Sequence, residues 1–347
     1  MSDVSDQPAA RVYVQTNDAT SNEVLAFERV EDGRLAPLGR FATGGRGTGM
    51  PHLPSQSSIV LSADGDHLLV VSAGSDEVSL FAVLHDGLHL VDHVASGGVM
   101  PTSVAVRGDL VYVLNNGTPN ISGFRLDGER LVPLDGSARS LSASDADPAQ
   151  IAFSADGTTL VVTERGTDCI STYTVDADGL ATGPATIAAG GKTPYGFDFT
   201  PAGAVIVTEA FGGSVGAAAA SSYSLSAPGV LAPLSSSVGD TRSEVCWAAV
   251  TPDGRFAYVT NFGDGTISSY AITEDGTLAL HDAVAASTRL GQAGVRDEAI
   301  SRDGRYLYAI DADAQQVFGW DVGPDGTLTA VGAFGDMPAT VAGLAAS

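Results

Sequence analysis

Residues 251–261 read Thr251-Pro252-Asp253-Gly254-Arg255-Phe256-Ala257-Tyr258-Val259-Thr260-Asn261. Asp-Gly supplies the positive φ that a tight hairpin demands. The run after it is apolar, as a strand buried on both faces should be, and it stops at a polar Asn. A Gly- or Asp-rich loop follows, then the alternating strand Ile267-Ser268-Ser269-Tyr270-Ala271-Ile272, a second turn at Asp275-Gly276, and a strand beginning near Leu278.

The unit recurs along the chain. The first turn falls at Asp64-Gly65, Gly108-Asp109, Asp156-Gly157, Ala202-Gly203, Asp253-Gly254 and Asp303-Gly304. The second falls at Asp32-Gly33, Asp86-Gly87, Asp127-Gly128, Asp178-Gly179, Pro228-Gly229, Asp275-Gly276 and Asp325-Gly326, at spacings of 54, 41, 51, 50, 47 and 50 residues. Four strands in a period of that size predict a propeller blade. We label its strands A to D from the axis outward. The chain opens on a B-type strand, Arg11-Val12-Tyr13-Val14, with no A strand before it. It closes on an A-type segment, Pro338-Ala339-Thr340-Val341-Ala342-Gly343-Leu344, with no B strand after it. Together they complete one blade. A strands near Ile59, Val104, Ile151, Phe197, Ala248, Ala299 and Val341 make seven. The expected fold is an all-β, seven-bladed β-propeller with four antiparallel strands per blade. It occupies residues 1–347 as one domain, with residues 1–10 as an N-terminal tail.

Composition agrees. Of 347 residues 44% are hydrophobic, only 17% are charged, and 42 are Gly, which suits a turn-rich β protein. Lys plus Arg total 17 against 41 Asp plus Glu, for a formal charge of -24, and Lys192 is the single lysine. Such a surface repels nucleic acid and anionic membranes. It fits a soluble or salt-adapted acidic protein, the alternative being a cationic partner. The first ten residues lack a basic and apolar leader pattern, no apolar run is long enough to span a bilayer, and Cys169 and Cys246 show no metal-ligand spacing. The expected location is the cytoplasm and the expected state a monomer.

Strand direction places the function. A runs down the axis and B up, so D–A and B–C loops share one face and the A–B turns lie on the other. A ligand pocket belongs on the first face, where A-strand starts and B-strand ends converge. On that face fall His52, Gln150, Glu164, Arg165, Tyr195, Glu209, Phe211, Arg242, Glu244, Trp247, Asn261 and Arg296. Glu164 and Glu209 end corresponding apolar B strands. A desolvated carboxylate there could act as a general base, and two could hold a divalent cation together with Asn261 or Asn115. The structural alternative is a pair of rim acids, with Asn115 and Asn261 forming turns. No Gly-x-Ser-x-Gly nucleophile elbow is present, so attack by water is expected rather than an acyl-enzyme.

The blade phrase at 251–261, its copies at Ser154-Ala155-Asp156-Gly157 and Ser301-Arg302-Asp303-Gly304, Pro51-His52 before an A strand, and Thr163-Glu164 at the end of a middle B strand together resemble the seven-bladed lactonase family. That family includes propeller-type 6-phosphogluconolactonases and carboxymuconate-lactonizing enzymes. The chain departs from it where Pro148-Ala149-Gln150 replaces an Arg-His pair, and it looks closer to the uncharacterised branch. The resemblance implies a hydrolase opening a small lactone, such as a sugar or carboxylated lactone. Glu164, His52 and Glu209 would be catalytic. Arg165, Arg242, Arg296, Gln150, Tyr195, Phe211, Trp247 and Asn261 would bind substrate. No cofactor or metal is expected, a divalent cation being the alternative. The competing function is a non-catalytic binding propeller.

Overall fold

A computed structural model describes residues 10–347. Its strands form seven antiparallel sheets that follow one another along the chain. Blade 1 contains Arg11–Gln15, Glu23–Arg29 and Leu35–Ala42, with Ala342–Ala346 as its innermost strand. The other six innermost strands are Ile59–Leu61, Pro101–Arg107, Pro148–Phe153, Pro194–Phe199, Val245–Val250 and Val295–Ile300, in blades 2 to 7. Blade 3 has a split outer edge, Arg130–Pro133 and Arg139–Ser140, both paired with Asn120–Asp127.

Closure is direct. Val12 pairs with Ala346, Tyr13 with Ala345 and Val14 with Leu344. The closing strand begins later than the sequence pattern suggests. Val341 N–H donates to Pro338 O at 3.2 Å, so Pro338–Val341 is a turn and pairing starts at Ala342. The expected N-terminal tail lies outside the described residues except for Ala10, whose carbonyl accepts Arg29 N–H at 2.9 Å.

Seven apolar clusters close the ring, each shared by two successive blades. Tyr308, Ile310 and Val317 of blade 7 pack with Val12, Val14 and Leu344 of blade 1. Ile59 and Val70 of blade 2 pack with Tyr13 and Ala345. Corresponding clusters join blades 2 and 3, 3 and 4, 4 and 5, 5 and 6, and 6 and 7. The second Asp-Gly turns take part. Tyr112 Oη donates to Gly179 O at 2.8 Å, Tyr258 Oη to Gly326 O at 3.0 Å, and Tyr308 Oη to Gly33 O at 2.7 Å. In each case a B-strand tyrosine reaches the outer turn of the next blade. In four of the six first turns a Ser or Thr two residues before the Asp donates to its carboxylate, as Ser154 does to Asp156 at 2.6 Å and Thr251 to Asp253 at 2.6 Å.

Deleting residues 342–347 exposes the inner edge of Arg11–Gln15 and removes buried Leu344 from the cluster between blades 7 and 1. Loss of one such Leu costs about 2–5 kcal/mol and loss of a whole strand costs more. Thermal unfolding of the truncated chain should therefore fall by roughly 10 °C or more, or the chain should aggregate.

Candidate functional site

The loop between blades 1 and 2 dips into the central channel and blocks it. Gln56 Nε2 donates to Ala248 O at 2.7 Å, and its Oε1 accepts Ala248 N–H at 3.1 Å. Gln56 N–H donates to Ala149 O at 3.1 Å, and Trp247 Nε1–H donates to Ser55 O at 2.9 Å. Gln150 completes the plug, donating to Ser57 Oγ at 3.2 Å and accepting Phe197 N–H at 2.6 Å. Gly196 allows this packing, since a Cβ there would fall 2.1 Å from Gln56 Oε1. The expected substrate ligand Gln150 is thus a structural brace.

Above the plug lies a cavity of about 320 Å³, lined by His52, Arg165, Tyr195, Glu244, Cys246, Phe262 and Arg296 among others. Bulges at the starts of the inner strands of blades 5, 6 and 7 re-aim Tyr195, Cys246 and Arg296 there. Tyr195 packs edge-on against Trp247 at 5.4 Å, and Trp247 packs edge-on against His52 at 6.4 Å. The Arg165 guanidinium lies over the Tyr195 ring at 5.0 Å and is anchored by Asp147 Oδ1 at 2.6 Å. The Arg296 guanidinium lies over Phe262 at 5.4 Å.

Three residues of this cavity have polar atoms without partners among the described residues. Arg296 is buried, yet its Nε and Nη1 make no hydrogen bond among the described residues, and neither do His52 Nδ1 or Tyr195 Oη. Buried polar groups are almost always satisfied, so several orphans in one cavity mark a place for a ligand. Burial, with Arg296 and Arg165 nearby, holds the His52 pKa down at about 4, so the imidazole is neutral near pH 7. Burial raises the Glu244 carboxyl and keeps the Tyr195 phenol protonated. A larger groove of about 400 Å³ between blades 5 and 6 opens on the opposite face and is walled by hairpin turns such as Asp253-Gly254 and Asp275-Gly276.

Glu164 and Glu209 do not line the cavity; each is fully buried in a cage of donors. Glu164 accepts from Ser171 Oγ at 2.6 Å, Thr167 Oγ1 at 3.0 Å, Ser142 N–H at 3.2 Å and Ser142 Oγ. Glu209 accepts from Gly191 N–H at 2.7 Å, Ser237 Oγ at 2.7 Å and Ser221 Oγ. Burial pushes Glu209 up, and these donors pull it back. Asn261 Nδ2 donates to Ser268 Oγ at 2.8 Å and Thr266 Oγ1 at 3.2 Å, while its Oδ1 has no partner among the described residues, and it too lies outside the cavity wall. With their oxygens engaged in separate cages, Glu164 and Glu209 are not a shared cation site. Among the described residues no group of three or more His, Cys, Asp or Glu is arranged around a metal position. Arg242 donates to its neighbour Thr241 Oγ1 at 3.0 Å, outside the cavity wall. Phe211 sits on a short 3-10 turn, Phe211–Gly213, whose glycines line the cavity in its place, and Trp247 backs the wall.

The model of the family "Lactonase, 7-bladed beta-propeller" matches residues 10–135, 130–210 and 210–342. The chain belongs to the seven-bladed β-propeller lactonase family. Among solved structures, this family member is similar to a Bacteroides uniformis protein provisionally assigned as a 6-phosphogluconolactonase. That match has 23% identity and a TM-score of 0.77, over 97% of this chain and 99% of that one. It is also similar to a Pseudomonas aeruginosa periplasmic gluconolactonase, at 18% identity and a TM-score of 0.76, over 97% and 98%. A Lactobacillus plantarum protein matches at 17% identity and a TM-score of 0.75, over 98% and 100%. At these identities the likeness is one of fold. No curated protein sequence matches the chain. Among the described residues, no helix is long and apolar enough to cross a membrane.

In this lactonase-family propeller the sequence singles out His52, Arg165, Tyr195 and Arg296, and the fold brings them to one cavity. Glu244 falls on the expected face, and the sequence alone assigns it no role. Its backbone carries no separate signal, since Ser57, Met100, Asp147 and Thr193 also take positive φ just before their inner strands. Glu164→Gln and Glu209→Gln should each destabilise the fold by roughly 2–4 kcal/mol in urea titrations, because the amide NH₂ faces hydroxyl donors. Ligand affinity of the surviving folded protein should be unchanged.

Proposed function

We propose that the protein hydrolyses a small lactone bearing an anionic substituent, in the cavity above the plug. The observation that carries this reading is the buried, unpartnered Arg296 guanidinium beside the orphaned His52 Nδ1 and Tyr195 Oη. A desolvated cation without a counter-ion costs stability, so its presence supports a bound anion or an oxyanion formed during reaction. Glu244 is the general base on that wall, its raised pKa bringing it nearer neutrality. It takes a proton from water as the water oxygen bonds to the lactone carbonyl carbon. The resulting oxyanion lies against the Nε–H and Nη1–H of Arg296. Collapse breaks the ring C–O bond, and the proton held by Glu244 passes to the departing ring oxygen. Arg165, held by Asp147, faces the anionic substituent, and neutral His52 and Tyr195 hydrogen-bond substrate oxygens.

The family membership supports this chemistry, while the substrate rests on the two arginines. The free thiols Cys169 and Cys246 support a cytoplasmic location. The closed ring, with no inner strand left unpaired, supports action as a monomer.

A panel of γ- and δ-lactones, with and without carboxylate or phosphate groups, tests the proposal. Charged lactones should be preferred. Glu244→Gln should lower kcat by about 10²–10⁴, and Arg296→Ala should lower kcat/KM by roughly 10²–10³. Saturable binding of the same compounds without turnover would instead establish the non-catalytic reading.

The pH profile separates the two candidate bases. His52 remains neutral until about pH 4. The acid limb of kcat/KM should therefore lie above the usual carboxylate range and belong to Glu244. As pH falls through that value Glu244 gains its proton and activity is lost. His52→Asn should leave the position of this limb unchanged, whereas residual activity of Glu244→Gln should lack it.

A further inference from the structure

Below the plug the channel widens into a second cavity of about 480 Å³, which shares no lining residue with the first. Gln56 and Gln150 form its ceiling, and Asp198, Asp297, Glu298 and Arg302 lie on its wall. Asp297 and Glu298 are buried. They follow Arg296 in sequence, but the bulge between Val295 and Glu298 turns both carboxylates into this lower space. Neither oxygen of Glu298 has a hydrogen-bond partner among the described residues, and neither does Asp297 Oδ2. Asp297 Oδ1 accepts Glu298 N–H at 3.0 Å. Asp198 is better provided, accepting Phe199 N–H and Val250 N–H, each at 2.8 Å. Arg302 is committed elsewhere, its Nη2 donating to Ser62 O at 3.1 Å.

Two adjacent buried carboxyls with three empty oxygens avoid the cost of bare charge either by holding protons, the direction in which burial pushes both, or by binding a cation that displaces those protons. We propose that the lower cavity is a binding site for a calcium-class divalent cation, held by Glu298 and Asp297. The donors are hard oxygens, with no thiolate or imidazole on the wall, which selects Ca²⁺ over soft metals. No third carboxylate is already arranged at ligand distance. Water and main-chain carbonyls complete the shell, a mixed set that the variable coordination of Ca²⁺ accepts better than the strict octahedron of Mg²⁺. This site neither requires nor is required by the lactonase reading, since the plug separates it from the upper cavity.

The test is thermal unfolding of the chelator-stripped full chain in CaCl₂, MgCl₂ and KCl at matched ionic strength, with calorimetric titration of Ca²⁺. Ca²⁺ at about 100 times its Kd should raise Tm by about 3–5 °C, and Mg²⁺ should do less. Calorimetry should give one ion per chain. Glu298→Gln and Asp297→Asn should abolish the Ca²⁺-specific rise. Glu298→Gln removes an unsatisfied charge at constant shape, so it should fold at least as well as the parent, and the ion dependence is the readout. No Ca²⁺-specific rise in the parent protein would overturn the proposal. So would a rise that persists in both variants, which would show weak binding by the acidic surface.

Discussion

The backbone ladder between Arg11–Gln15 and Ala342–Ala346 is the constraint on which the molecule depends. Each blade buries its apolar faces only against its two neighbours, as the seven shared clusters show, so a missing blade face would leave two interfaces open. Closing the ring with one strand from the far end of the chain removes the last free inner edge. It also fixes the channel. Arg165, Tyr195, Glu244 and Arg296 come from four consecutive blades, and His52 arrives from the loop between blades 1 and 2. Their convergence follows from the radial arrangement rather than from any local motif.

Within that frame, two kinds of polar residue must be told apart. The residues ending the B strands form a series: Ser72, Asn115, Glu164, Glu209, Asn261 and Asp311, all fully buried. Most are met by a hydroxyl on the facing C strand: Asn115 by Ser122, Glu164 by Ser171, Glu209 by Ser221 and Asn261 by Ser268. A feature repeated blade after blade serves what all blades share, which is the fold. The cavity residues are the ones whose side chains differ from blade to blade: a histidine on an overlong loop, and a tyrosine, an acid and an arginine carried by the bulged strand starts that most blades share.

That distinction explains what could be read from the sequence. The blade count, the closure and the functional face were legible because they depend on turn chemistry and strand period, which Asp-Gly pairs and apolar runs display openly. Glu164 and Glu209 drew attention as carboxylates ending apolar strands, and that pattern cannot by itself separate a desolvated base from a caged anchor. The serines seven and twelve residues later were the discriminating signal, and they hide in alternating strands where Ser is ordinary. The plug was not legible, because Gln56 bonds backbone groups of blade 6 across the channel and Gln150 those of the next blade, contacts that no spacing rule connects. Asp297 and Glu298 are buried because the bulge at the start of their strand turns two consecutive side chains inward, which no residue pattern announces.

The run Arg296-Asp297-Glu298 brings these points together. In an open channel its guanidinium and carboxylates, adjacent in sequence and desolvated, would gain most by pairing with one another. The plug prevents this. The Gln56 and Gln150 amides span the channel at this level, leaving Arg296 in the upper cavity and the two acids in the lower one. No ion pair joins Arg296 to either acid among the described residues, where eight other ion-pair contacts are formed. The barrier that blocks the channel therefore keeps an arginine-lined cavity on one side and a carboxyl-lined cavity on the other. That separation lasts only while the hydrogen bonds from Gln56 to Ala248 and Ala149, and from Phe197 to Gln150, hold.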